Sequence, residues 1–401
     1  MSEYAQCEVL IIGAGITGLT LARELVGRGV GRIVVIEKEP APGVHASGRN
    51  SGVLHAGIYY NPDSLKGRFC VEGNRQMKAF CRAKGLSLIE SGKVIVTRDE
   101  SECPRLEDLK RRADACGAGA RLIDPRQLAR LEPHAATHRL ALHSPETAVV
   151  NPLEILHALR EELLASGRVR LECNCAFLES GGDGKARTSR GTIGYSFLVN
   201  AAGGHADVIA RKFGLAKEYR SLPFKGIYRE VTGARSFLVR GSIYPVPDPR
   251  NPFLGVHFTR GADGAVTIGP TAIPAFHRED YNLRWPRLGK ESPGIVMRDA
   301  VLLFANAGFR SAALTEPMMY LDRFVLAAAR QLVPDLGRGD LVPSSKVGVR
   351  AQLVHWPSRS LVMDFVVIED RRAVHVLNAI SPGFTSSMAF ARHLAARILP
   401  L

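Results

Sequence analysis

The chain of 401 residues is 46% hydrophobic and 23% charged, a balance that excludes disorder as the default and permits one large α/β body or two interleaved domains. No apolar run nears the ~18 residues of a membrane-spanning helix, and seven irregularly spaced cysteines offer neither a disulfide framework nor paired CxxC metal knuckles. The net charge of +14 favours encounter with a small anionic substrate, whereas the scatter of the basic residues leaves no run interleaved with aromatics for nucleic acid.

Met1 to Gln6 is short and polar, without the regions of a secretory signal, so a cytoplasmic location is expected, with peripheral contact to a membrane left open. Glu8-Val9-Leu10-Ile11-Ile12 predicts a strand running directly into Gly13-Ala14-Gly15-Ile16-Thr17-Gly18. Leu19, Ala22, Leu25 and Val26 then recur at helical spacing until Gly29 and Gly31, and Ile33-Val34-Val35-Ile36 predicts a second strand, completing a βαβ unit. Residues 63–84 predict a helix with Leu65, Phe69, Gly73, Met77 and Phe80 or Cys81 toward the core, and 107–115 a charged helix. Asn151-Pro152 opens a helix through Leu153, Leu156, Leu159 and Leu163 that Gly167 closes. Short strands are expected at 169–173, 176–179, 185–189 and 195–199, two of them joined at Gly181-Gly182-Asp183-Gly184, with Cys173 and Cys175 on one strand face. Residues 222–273 read as strands and prolines, 298–331 as largely helical, 361–366 and 374–377 as strands, and 385–398 as a last helix.

Gly13, Gly15 and Gly18 fall where a strand becomes a helix, the context that lifts GxGxxG above chance. Gly13 permits the tight turn, Gly15 lets the backbone approach a pyrophosphate, and Gly18 lets the helix pack on the strand, while the helix N-terminus faces phosphate charge. Glu37 ends the second strand, where its carboxylate can accept hydrogen bonds from adenosine ribose hydroxyls. Three later segments favour FAD over NAD. Ala46-Ser47-Gly48-Arg49-Asn50-Ser51-Gly52 is a loop suited to wrapping a long cofactor, with Arg49, Asn50, Ser51 and Gly52 as candidate contacts. Asn200-Ala201-Ala202-Gly203-Gly204 ends a strand in small residues, so that the chain can pass close to the cofactor at Ala202 and Gly203. Ser381-Pro382-Gly383-Phe384-Thr385 precedes the last helix, whose N-terminal dipole around Gly383, Phe384 and Thr385 would stabilise negative charge on a reduced flavin. The expected fold is α/β: a discontinuous, glutathione-reductase-like Rossmann domain for FAD from 1–85, 147–215 and 345–401, with an inserted α+β substrate domain from 86–146 and 216–344.

The run from Gly48-Arg49-Asn50-Ser51-Gly52 through His55-Ala56-Gly57-Ile58-Tyr59-Tyr60 is joined by Ser64-Leu65-Lys66, Phe69-Cys70-Val71-Glu72-Gly73 and Ser144-Pro145-Glu146-Thr147. Ile243-Tyr244-Pro245-Val246-Pro247, Gly255-Val256-His257-Phe258-Thr259-Arg260, Gly269-Pro270 and Gly348-Val349-Arg350-Ala351-Gln352 complete the set. Together, over nearly the full chain, they resemble the D-amino-acid-oxidase-like FAD superfamily and, within it, the L-2-hydroxyglutarate dehydrogenase/oxidase family. The resemblance implies FAD-dependent oxidation of a small 2-hydroxy acid to the 2-oxo acid by hydride transfer to flavin N5, with oxygen, a quinone or a carrier flavoprotein as acceptor. Two segments depart from the family pattern: Ile227 stands where an acidic residue is usual, and the turn at Ser381 to Thr385 replaces one of smaller residues.

Such chemistry needs a carboxylate anchor and a base. Arg350 is the expected anchor, because a guanidinium pairs bidentately with carboxylate. His55 is the expected base or orienting group, since an imidazole suits proton transfer near neutrality, with His257 as the rival. Tyr60, Tyr228 and Tyr244 are expected to hydrogen-bond the substrate and Lys225 to meet a second carboxylate. His45 reads as an ordinary loop histidine, and without HExxH, GxSxG or paired CxxC no metal site is expected. The competing readings are amine or amino-acid oxidation by FAD, and flavin binding without turnover.

Overall fold

The computed structural model describes residues 3–180, 184–248 and 254–398. Strand Glu3–Ile12 turns into helix Ile16–Gly27 and then strand Ile33–Ile36, with parallel pairing from Val9↔Ile33 to Ile12↔Ile36. The βαβ unit is therefore present as the sequence predicts. Gly191–Asn200 lies parallel on the other side of the first strand, Val169–Glu172 beyond Ile33–Ile36, and Ala373–Leu377 beside Gly191–Asn200. A parallel sheet must bury both faces. Alternate residues accordingly divide between two cores, Val9, Ile11, Ile33 and Val35 in one, Leu10, Ile12, Val34 and Ile36 in the other. The first core is covered by helices Ile16–Gly27, Pro152–Ala165 and Gly383–Ile398, the second by Ala206–Lys212. This is the Rossmann-like arrangement that the glycine motif requires.

Helix Leu65–Lys84 packs outside Gly383–Ile398. Ser64 caps it, its Oγ accepting from Gly67 N at 3.0 Å, and Gly85 ends it at φ +64°. At Gly73 the two helices cross so closely that a Cβ would lie 2.4 Å from Thr385 O.

A second sheet of ten strands is built round the antiparallel pair Tyr219–Val231 and Leu341–His355, in register Phe224↔Arg350 and Lys225↔Val349. It continues through Val266–Ile268, Phe258–Arg260, Ser242–Pro245, Lys93–Val96, Ala141–Ser144 and Arg121–Ile123. The whole of Leu341–His355 belongs to this sheet, so the segment boundary expected at 345 falls inside a strand.

Other expectations shift by local causes. The charged helix begins at Cys103 rather than 107, because Pro104 stands in its first turn. The helical stretch starts earlier, at Ser292, and breaks at Asn306, whose side chain caps the next helix by accepting from Phe309 N at 2.9 Å. Cys173 and Cys175 do not share a strand face: the strand ends at Glu172 and Asn174 takes φ +52°. Strands Ser360–Leu361 and Val366–Asp370 replace the single one expected at 361–366. Phe177–Ser180 and Lys185–Thr188 form an antiparallel pair as expected, while residues 181–183 of the turn lie outside the described residues. Among the described residues no helix is long and apolar enough to cross a membrane.

Candidate active site

At the first βα turn the glycines are required by contact. Gly13 holds φ +103°, and a Cβ there would sit 2.6 Å from Ala201 O; a Cβ on Gly18 would sit 2.0 Å from Gly13 O. Glu37 accepts from Ala14 N at 3.0 Å and from Glu39 N at 3.0 Å, which holds its carboxylate at the mouth of the turn. Ser47, which the sequence reading did not single out, accepts from Ile16 N at 3.0 Å and so joins the loop to the helix N-terminus.

Within that loop Asn50 folds back, donating to Ser47 O at 2.7 Å and accepting from Gly52 N at 2.9 Å. Ser51 Oγ accepts from Val53 N at 3.4 Å, and Gly52 takes φ +76° with Val150 O where a Cβ would be. Arg49 donates to Val44 O at 2.7 Å, and its guanidinium lies 4.3 Å from the Tyr281 ring centre, so it braces the loop. From the far end of the chain, Thr385 Oγ1 accepts from His55 N at 3.1 Å. The loop after the second strand and the last helix are thus tied at His55, four residues before Tyr59. A Cβ on Gly203 or Gly383 would meet no atom within 4 Å, whereas one on Gly13 or Gly73 would strike backbone. Gly203, after a strand end, and Gly383, at a helix N-terminus, therefore have open space beside them, with Ala202, Phe384 and Thr385 as their chain neighbours. A long anionic cofactor fits these residues.

Beyond this lies a group of buried and half-buried basic and aromatic side chains. His55, Tyr59 and Tyr60 come from the loop, Lys93 from the head of strand Lys93–Val96, Tyr244 from the strand paired beside it, and His257 from just before Phe258–Arg260. The Lys93 ammonium lies 4.1 Å from the centre of the Tyr244 ring and 5.1 Å from that of Tyr59, and His257 stacks on Tyr244 at 4.0 Å. No carboxylate of the described residues pairs with Lys93, and burial pushes its pKa from 10.5 down to about 7. His55 is pushed well below 6.5 by burial first, then by Lys93 and His257. It is neutral near pH 7, and its Nδ1 has no hydrogen-bond partner among the described residues. His257 Nδ1 instead bonds Gly255 O at 2.8 Å, and burial takes its pKa to about 4. His257 is therefore the anchored ring of the two.

Arg350 lies half-buried near the Tyr60 hydroxyl, which hydrogen-bonds Ser381; desolvation lowers the guanidinium pKa to about 10, still cationic at neutral pH. Lys66 lies close by, brought to about 7 by burial first and then by the Arg350 charge. Asp364, which supports the Lys66 charge, also caps the helix, accepting from Leu65 N at 2.7 Å and Lys66 N at 3.1 Å. Tyr228 is buried, and its proximity to Tyr244 adds to the rise of its phenol pKa.

Lys225 does not join this group. Successive strand residues face opposite ways, and Lys225 pairs with Val349, not Arg350. Its ammonium is held in a buried pair with Asp280 at 3.0 Å and by Asn282 O at 3.0 Å. Ile227 shares that side, packed with Ile273, Val347 and Tyr281, so the missing acid of the family pattern leaves the Arg350 face unaltered. Lys93 escaped the sequence reading, although a lysine heading the apolar run Val94-Ile95-Val96 is the available signal; Lys66 entered only as part of a family motif.

Residues 8–397 match the family described as FAD dependent oxidoreductase (DAO). The chain is 34% identical to the L-2-hydroxyglutarate dehydrogenase of Indibacter alkaliphilus, over 95% of this chain and 96% of that one. It is also 34% identical to the human mitochondrial L-2-hydroxyglutarate dehydrogenase, over 97% and 88%. Among solved structures, the FAD-bound L-alpha-glycerophosphate oxidase of Mycoplasma pneumoniae superposes with a TM-score of 0.77 at 22% identity, over 99% of this chain and 95% of that one. Glycine oxidase from Geobacillus kaustophilus superposes with a TM-score of 0.71 at 17% identity, over 98% and 95%. These two likenesses concern the fold.

Proposed function

The chain belongs to the FAD dependent oxidoreductase family and, within it, to the L-2-hydroxyglutarate dehydrogenases, and from that premise we propose that it oxidises L-2-hydroxyglutarate, with Arg350, Lys93 and His55 as the groups that handle this dianion. The observation that carries the reading is the convergence of Arg350, Lys66 and Lys93 around aromatic side chains, beside the neutral histidines His55 and His257. A buried ammonium such as that of Lys93 is costly unless an anion arrives to pair with it. A dicarboxylate supplies two such charges, where a monocarboxylate supplies one.

FAD, when bound, supplies the two-electron acceptor, so that the alcohol carbon leaves as a ketone. The remaining tasks fall to the protein. Arg350 pairs with the C1 carboxylate and fixes the carbon that reacts. Lys93 meets the C5 carboxylate, whose charge raises the ammonium pKa and keeps it protonated. Neutral His55 takes the hydroxyl proton; the Thr385 contact fixes its backbone, and the anchored His257 flanks it. The tyrosine walls of Tyr59, Tyr60, Tyr228 and Tyr244 exclude water from the charges. The reoxidising acceptor is oxygen, a quinone or a carrier flavoprotein.

Anaerobic mixing with L-2-hydroxyglutarate, its enantiomer, L-lactate and a panel of L-amino acids, followed by loss of oxidised-flavin absorbance, tests the reading. Rapid bleaching by L-2-hydroxyglutarate alone is expected. Faster bleaching by a monocarboxylate or an amino acid would remove the dicarboxylate assignment.

A further inference from the structure

After strand Ile273–Pro274 the chain runs irregularly, yet residues 278–281 are held at every side chain. Arg278, 4% exposed, donates to both carboxylate oxygens of Asp207, at 2.5 and 3.0 Å, and to Gly204 O. Asp280 is paired with Lys225 of the second sheet. Glu279 and Tyr281 reach instead the segment that follows strand Ile33–Ile36. There the Lys38 ammonium has three N–H groups and three acceptors: Glu279 Oε1 at 2.6 Å, Glu39 Oε1 at 2.5 Å and His45 Nε2 at 2.9 Å. The same Glu279 oxygen lies 2.9 Å from His205 Nε2, and its other oxygen 3.4 Å from Arg287. The Tyr281 hydroxyl bonds His45 Nδ1 at 2.9 Å, and its ring carries the Arg49 guanidinium.

These partners stand on two banks of the cofactor cradle. Lys38, His45 and Arg49 belong to the stretch from Glu37 to Gly52. Gly204, His205 and Asp207 follow Ala202 and Gly203, where space is open beside Gly203. A chain bonded to both banks has to cross the channel between them, and Glu279 is the crossing point, because one carboxylate ties Lys38 on one side to His205 on the other. Its hydrogen bonds to His205 and Lys38 hold its pKa far below the usual carboxylate range, so it stays ionised. Ion pairs open to water are each worth little, but a carboxylate shared by three partners is ordered only once for all of them. The two fastenings differ in strength. The Arg278–Asp207 pair is buried and costly to part, whereas Lys38 and His205 are about one third exposed and part more readily.

We infer that residues 278–281 form a strap across the cofactor channel, rooted at Arg278 and fastened at Glu279, which lifts for FAD to enter or leave. The strap is independent of which acid the buried site oxidises. The test dilutes the full-length, FAD-loaded protein until released flavin cannot rebind, and reads release from the rise of free-flavin emission; uptake is followed by adding FAD to protein stripped of it. Glu279→Gln keeps the side chain's size and removes its charge. It should release FAD about tenfold faster, the combined effect of three weak pairs, and take FAD up at least as fast as the native protein, because a strap obstructs passage both ways. Release at the native rate would overturn the inference. So would faster release joined to slower uptake, since Glu279 would then serve only the affinity of the bound state. The native protein gives a reading that stands even where the variant fails to fold. Raising salt screens the half-exposed fastening, so FAD should leave faster and the amides of 279–281 should exchange with deuterium faster, while those of 13–18 keep their rate. Release and exchange indifferent to salt would also overturn it.

Discussion

Replacing Lys93 with methionine keeps a long flexible stem and removes one buried ammonium. Its pKa falls from 10.5 in an ordinary setting to about 7 in the fold, a difference worth about 5 kcal/mol as an upper value, since protein relaxation recovers part of it. The unfolded chain holds that proton up to about pH 10, whereas the fold releases it near 7. Below 7 both states are charged and the fold bears the full cost. Between 7 and 10 the unfolded state binds more protons, so native stability rises with pH. Lys93→Met should therefore be more stable than the native protein near pH 6, by a few kcal/mol, and nearly equal to it near pH 10. Its KM for L-2-hydroxyglutarate should rise about tenfold or more, because the second carboxylate loses its partner. Denaturant unfolding of FAD-saturated protein at the two pH values, alongside steady-state kinetics, measures both. A variant that is less stable near pH 6, or one with an unchanged KM, would refute the account of Lys93 as an unpaired cation awaiting substrate.

His55→Ala should lower kcat about a hundredfold while the flavin spectrum persists; unchanged turnover would take the base role from it. Because its pKa lies well below 6.5, native activity should hold as pH falls toward 6 and decline only below that. Arg350→Met should raise KM for L-2-hydroxyglutarate more than it lowers kcat, with a steeper loss than Arg350→Lys, as titration of substrate-dependent flavin bleaching would show. Gly13→Ala places a Cβ 2.6 Å from Ala201 O at φ +103°, and should yield protein that purifies without colour and takes up little added FAD.

The cofactor half of the molecule was legible in the chain because its requirements are local. A strand, a turn and a helix within about thirty residues dictate glycine by backbone geometry alone, and Gly13, Gly18 and Glu37 occupy the places their spacing implies. His55 and Arg350 were reached through motifs around them, and the fold brings both into one buried region with Tyr60 and Tyr244. The choice of lysine was not legible. Whether Lys225 or Lys93 faces the site depends on the parity of a strand register, Phe224 against Arg350, and on Asp280, fifty-five positions along the chain, capturing Lys225. Lys93 reaches Tyr244 only because Lys93–Val96 pairs with Ser242–Pro245 from a distant segment. Local sequence thus set the backbone cradle, where one residue's φ decides the outcome; tertiary pairing set the charges, because the face a side chain takes belongs to two strands and not to one.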